Sequence, residues 1–87
     1  MEVIFQPDAL ADLEFWKNSG NRKIQKKIEQ LLQSIMETPY SGIGKPEALK
    51  YELSGKWSRR INAEHRLTYK IENDELHVFS LRGHYKK

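Results

Sequence analysis

Residues 57–81 read WSRRINAEHRLTYKIENDELHVFSL. Three runs rich in aromatic, aliphatic and β-branched residues are separated by two short polar breaks. Trp57 to Ile61, His65 to Ile71 and Leu76 to Leu81 are predicted strands, and Asn62-Ala63-Glu64 and Glu72-Asn73-Asp74-Glu75 are short enough to be hairpin turns. In the middle strand Leu67, Tyr69 and Ile71 alternate with Arg66, Thr68 and Lys70, so the apolar set faces a core and Arg66 the opposite side. With Ile61 in the core, Arg60 falls on that open side too. Two guanidinium groups side by side on adjacent strands repel unless an anion lies between them, and the pattern therefore points to phosphate. The strand carrying Val78 and Phe79 is apolar on both parities, which leaves its facing open.

Upstream, Val3-Ile4-Phe5 reads as a short buried strand. Pro7 suits the first position of a helix, and Asp8 and Asp12 suit its positive dipole end. Ala9, Leu13 and Trp16 recur at helical spacing, which predicts a helix over 7–17. Ser19-Gly20-Asn21 breaks it, and Asn21 or a neighbour can cap a second helix. Ile24, Ile28, Leu31, Leu32 and Ile35 form its apolar stripe; the helix should end by Thr38, because Pro39 disfavours helical backbone just before it. Residues 39–46, PYSGIGKP, form a breaker-rich loop. The order β-α-α-β-β-β predicts one α+β domain over 1–87, its two helices packed on one face of a mostly antiparallel sheet.

Composition narrows the function classes. The chain has 87 residues and no cysteine, which excludes disulfides and thiolate metal sites. The start, MEVIFQPD, has neither the apolar run of a membrane span nor that of a signal peptide, so a cytoplasmic location is expected. A chain this short hides only roughly 60–65% of its unfolded surface, and a tightly bound partner would help it persist. Net charge is +3, unevenly spread: residues 1–44 hold five basic and six acidic residues, residues 45–87 ten and six. A positive second half suits a polyanion, through attraction of phosphates and release of their counterions. Charge alone does not separate this from an ordinary solvated basic surface.

Three groups of residues could carry chemistry. Glu47 follows the Gly-Ile-Gly-Lys-Pro loop; among neighbouring cations its carboxylate stays ionised and could remove a proton from a ribose 2′-hydroxyl. The plain alternative is a surface glutamate starting a turn. Lys50, Arg59, Arg60 and Arg66 form a cationic set, and the guanidinium fork matches phosphate oxygens. Donors placed for the crowded, more negative phosphorane stabilise the transition state beyond the ground state. The alternatives are backbone binding without chemistry, or salt bridges to Glu52 and Glu64. The terminal Arg82-Gly83-His84-Tyr85 brings an imidazole that can hold or release a proton near neutrality. His84 could then protonate a departing 5′-oxygen, and Tyr85 could stack on a base or donate to phosphate. An unstructured basic terminus would look the same. His65 and His77 read as structural or surface residues. Three scattered histidines without an i, i+4 pair do not suggest a metal site, and GIGKPE lacks the frame of a nucleotide-binding P-loop. No metal or cofactor is expected.

GIGKPEALKYELSGKWSRRINAEHRLTYKI, residues 42–71, and RGHY, residues 82–85, resemble the Txe/YoeB-type toxins of the RelE superfamily. The likeness runs nearly end to end, with the helical half matching mainly in pattern. It implies a RelE-like, microbial-ribonuclease-like α+β fold and cleavage of mRNA in the A site of the 70S ribosome. It also implies inhibition by a YefM/Axe-type antitoxin, with operator DNA reached only through that antitoxin, and the family can form homodimers. By motif, Glu47 in GKPE corresponds to the general base, Arg66 in EHRL to the phosphate-stabilising arginine, His84 to the general acid and Tyr85 to the adjacent catalytic or base-stacking tyrosine. Lys50 and Arg60 correspond to supporting cations. Gly83 stands where a bulkier residue can occur, and Lys86 and Lys87 extend past the terminal tyrosine. A non-catalytic RNA- or ribosome-binding module, or a co-repressor acting with its antitoxin, is the competing expectation.

Overall fold

The computed structural model describes residues 1–83. In chain order its elements are β1 (Glu2–Phe5), α1 (Pro7–Ser19), α2 (Arg22–Glu37), β2 (Glu47–Ala48), a 3-10 turn (Tyr51–Leu53), β3 (Trp57–Arg60), β4 (Arg66–Glu72) and β5 (Glu75–Ser80). The five strands make one sheet in the order β1-β5-β4-β3-β2. β1 runs parallel to β5 and the other neighbours are antiparallel, so the expected mostly antiparallel α+β architecture is the observed one.

Local chemistry sets the boundaries. Pro7 opens α1, and Gly20 closes it in the left-handed conformation (φ 73°) that glycine adopts without strain. Asn21 caps α2, its Oδ1 accepting from the Ile24 N–H at 3.1 Å. The β4–β5 turn is tighter than predicted. Only Asn73 and Asp74 lie between the strands, both at positive φ (54° and 59°), as a two-residue type I′ turn requires. β2 was not predicted, because two residues are too short for any alternation to register.

Ile24, Ile28, Leu31 and Ile35 of α2 and Ala9 and Trp16 of α1 join Leu67, Tyr69, Leu76 and Val78 in one core. The facing of β5 is thereby settled: Val78 is fully buried and pairs with Tyr69, next to a register shift at Thr68/Tyr69. A bulge of this kind adds one residue to one strand and re-aims its neighbours.

Arg59 is the largest fully buried side chain. Its Nε donates to the Tyr69 hydroxyl at 3.2 Å. Nη1 donates to Ser34 Oγ (2.8 Å) and the Ile43 carbonyl (3.1 Å), and Nη2 to the carbonyls of Thr38 and Ser41 (2.7 Å each). All five guanidinium protons are used. Tyr69 passes its own proton to the Pro39 carbonyl at 2.6 Å. Loop 38–44 is thus bound to α2 and β4 through one cation. Gly44 presses into this contact: a Cβ there would lie 2.6 Å from Leu31 Cδ2. Its carbonyl accepts from the Arg60 N–H, also at 2.6 Å.

Two outcomes follow from this network. Arg59→Leu takes the donor from three partly buried carbonyls and two hydroxyls, and should lower unfolding free energy by about 3 kcal/mol in chemical denaturation. Arg59→Lys, with three donors and no fork, should recover only part. Burial pushes the Tyr69 hydroxyl above its usual range, partly offset by the hydrogen bond and charge of Arg59. The folded chain therefore holds this proton more tightly than the unfolded one. The stabilisation is complete below about pH 10 and is lost as pH rises through the higher folded value. Denaturation curves across the alkaline range should show a decline that Tyr69→Phe removes.

Candidate active site

Side chains opposite the core make the open face. Register places Glu47 beside Ser58, Ser58 beside Thr68 and Thr68 beside Ser80, one row crossing four strands. Arg60 and Arg66 are direct partners across β3 and β4. They sit on the same face, two residues further along, as alternation in the sequence predicted. At ordinary sheet spacings the Cα atoms of Glu47 and Arg66 lie about 10 Å apart across the strands and roughly 7 Å along them. A glutamate and an extended arginine can close that span around one phosphate group.

The cations on this face differ in how committed they are. Arg66 Nη1 donates to the carbonyls of Asn62 (2.9 Å), His65 (3.2 Å) and Ala63 (3.3 Å), which offsets repulsion from Arg60. Its Nε and Nη2 make no hydrogen bond to the described residues. Lys70 is held by Glu72 at 2.9 Å, and the Lys70 ammonium keeps the Glu72 carboxyl below the usual carboxylate range. Lys56 lies over the Phe79 ring, 4.1 Å from its centroid. Lys50, exposed, precedes the 3-10 turn next to β2.

Arg59 is a correction. Counted among the phosphate-binding cations, it instead points into the core with every donor spent within the chain. The alternation that turned Arg60 outward turns Arg59 inward, but the type of residue argued for a surface position. A buried guanidinium is tolerated because carbonyl dipoles replace water on all its N–H groups.

A cleft of about 610 Å³ opens between the first turns of α1 and the open face, lined by Asp12, Lys56, Thr68, Phe79, Arg82 and Gly83 among others. The chain crosses it on its way to the C-terminus, and crosses it anchored. Asp12 Oδ2 accepts from the Leu81 N–H (2.9 Å), and Trp16 Nε1 donates to the Leu81 carbonyl (2.8 Å). The Arg82 guanidinium rests on Phe15, 4.1 Å from the ring centroid. The Gly83 N–H donates to His65 Nδ1 (2.8 Å), and its carbonyl accepts from the Arg66 N–H (2.9 Å). Gly83 therefore sits beside Arg66, and the next residue in sequence is His84. His84 and Tyr85 lie outside the described residues. Asp12, Trp16 and His65 were not singled out for any site. Asp12 and Trp16 reach Leu81 across more than sixty residues and His65 reaches Gly83 across eighteen, separations that leave no local signal.

Glu47, Arg60 and Arg66 thus share one face of a thin sheet, with the entry to residue 84 beside them. A carboxylate across from paired guanidinium groups is suited to an anionic ester whose neighbouring hydroxyl must lose a proton.

Known proteins give this arrangement its context. A protein from Mycobacterium tuberculosis described as Toxin RelK is 49% identical over 83 residues, covering 95% of this chain and 96% of its own. The fold superposes on a YoeB/ParE toxin from Agrobacterium tumefaciens with a TM-score of 0.93 at 38% identity, covering 98% of this chain and all of that one. The toxin of a YoeB–YefM complex from Staphylococcus aureus is similar at a TM-score of 0.88 and 42% identity, with 98% of both chains covered. The family model described as YoeB-like toxin of bacterial type II toxin-antitoxin system matches residues 5–85, and the chain belongs to that family.

Proposed function

We propose that this toxin is a ribosome-dependent endoribonuclease that cleaves mRNA in the A site of the 70S ribosome and so inhibits translation. Glu47 takes the proton of a ribose 2′-hydroxyl, and the resulting oxyanion attacks the adjacent phosphorus. Arg66, Arg60 and Lys50 stabilise the charge added in the phosphorane. His84 gives a proton to the departing 5′-oxygen, and Tyr85 stacks on a base or donates to phosphate. The products are a 2′,3′-cyclic phosphate and a 5′-hydroxyl. Acid, base and cations suffice, so the scheme uses no metal. The observation that carries it is the direct pairing of Arg60 with Arg66 on the open face that also bears Glu47.

Dependence on the ribosome has a physical rationale. A shallow open face positions a flexible RNA poorly, and a codon already held in the A site arrives in reactive geometry. The partner on the regulatory side is a YefM/Axe-type antitoxin, in keeping with the complex solved for the Staphylococcus aureus relative. Its disordered segment would fold over the basic face, and operator DNA would be reached only through it. The site of action is the cytoplasm, where translating ribosomes are.

Primer extension on an mRNA in a reconstituted translation system tests the scheme. Glu47→Ala, Arg66→Ala and His84→Ala should each fold and each lose cleavage by about a hundredfold or more. Normal cleavage by all three would overturn it, as would equal rates on free and ribosome-bound mRNA. A purely binding module predicts a different result: removing the Glu47 carboxylate would tighten RNA binding, whereas the nuclease reading expects similar binding and lost turnover.

A further inference from the structure

His65 has no part in the chemistry above, yet the chain is built around its ring. Its own N–H donates to Asn62 Oδ1 at 2.7 Å, and its carbonyl accepts from Ile61 at 2.9 Å. The ring meets the Trp16 indole edge-on, with centroids 4.9 Å apart and planes at 79°. The side chain is only 15% exposed. Fixed in this way, Nδ1 accepts the Gly83 N–H at 2.8 Å. That bond needs a lone pair on Nδ1, so the ring is neutral with its proton on Nε2. Nε2 lies 3.9 Å from Glu64 Oε1, too far for a hydrogen bond.

We propose that His65 is a positioning residue that sets where the chain leaves the sheet toward His84. The inference rests on the acid–base reading above and extends it to a side chain that touches no substrate. Gly83 needs such a holder. Its φ is 73°, and among the described residues, its chain neighbours aside, nothing lies within 4 Å of the place a Cβ would occupy. Restraint comes from two hydrogen bonds, one to each side of the residue, given by consecutive residues of the β3–β4 hairpin. The bond from Arg66 is backbone and does not depend on the side chain at position 65. The bond to His65 is the one a side chain controls. Leu81 is pinned separately by Asp12 and Trp16, so losing the His65 acceptor frees only the last peptide before the general acid and leaves the core attached. An error of about 1 Å at a reacting group can lower a rate roughly a hundredfold.

The test pairs two substitutions. His65→Phe keeps a ring against Trp16 and removes the acceptor; His65→Asn loses the ring but places an amide oxygen near the position of Nδ1. Amide hydrogen exchange at Gly83 is read by NMR on the free protein, and kcat and KM on ribosome-bound mRNA. His65→Phe should exchange about tenfold faster at Gly83, the factor expected for one net hydrogen bond. It should lower kcat roughly tenfold or more with KM within about twofold. His65→Asn should restore most of both. If His65→Phe does not fold, His65→Leu takes its place. Unchanged exchange at Gly83, faster exchange with unchanged kcat, or an asparagine variant as impaired as the phenylalanine one would each overturn the proposal. Equal cleavage by wild type and Glu47→Ala would instead defeat the acid–base reading, an outcome visible independently of the Gly83 exchange data.

Discussion

A guanidinium group buried without a carboxylate is expensive unless every N–H finds an acceptor. Arg59 meets that condition with three carbonyls and two hydroxyls, and the acceptors dictate much of the fold. Three of them belong to loop 38–44, which must curl inward to present Thr38, Ser41 and Ile43. The curl explains Gly44: its φ is +82°, and a Cβ there would meet Leu31 Cδ2 at 2.6 Å and Arg59 Cβ at 3.1 Å. The loop ends at β2, so the same cation that closes the core also determines where Glu47 enters the sheet. The positive charge does structural work on one side of β3, while its neighbour Arg60 is available to ligands on the other.

The sheet separates two tasks that a chain of 87 residues must accomplish in one layer of strands. One face is closed by α1 and α2 around Leu67, Tyr69 and Val78. The other is left polar, with Ser58 and Thr68 as a floor between Glu47 and the strand that leads to the C-terminus. Register does the positioning. Because side chains alternate with a period of two, a slip of one residue between β3 and β4 would turn Arg60 or Arg66 into the core. The buried Arg59–Tyr69 bond on the opposite face guards against that slip, since it connects the same two strands.

Residues 81–83 are held like a further element although they form no strand. Leu81 and Gly83 use four backbone groups, and each finds a partner on α1 or on the β3–β4 hairpin. α1 thus has a second role beyond its apolar stripe: Asp12, Phe15 and Trp16 form a clamp for Leu81 and Arg82. Trp16 belongs to both, packing in the core and donating to Leu81, and its edge contact with His65 couples the clamp to the hairpin.

Hydrophobic runs, their spacing and the breakers between them were enough to find the strands β3, β4 and β5, both helices, and the outward pairing of Arg60 with Arg66, though not the facing of β5. Those signals are local, and a period of 2 or 3.6 is written directly into the order of residues. The likeness of residues 42–71 and 82–85 to a toxin family rested on the order of residues as well. Other features existed only once the chain had folded. Arg59 went inward because five acceptors drawn from α2, a loop and β4 converge on it. The two-residue β2 forms only because β3 is there to pair with it. His65 serves Gly83 because Trp16 holds its ring from a helix nearly fifty positions earlier. Each depends on groups distant in sequence meeting in space, and no window of residues records a meeting that only the tertiary fold brings about.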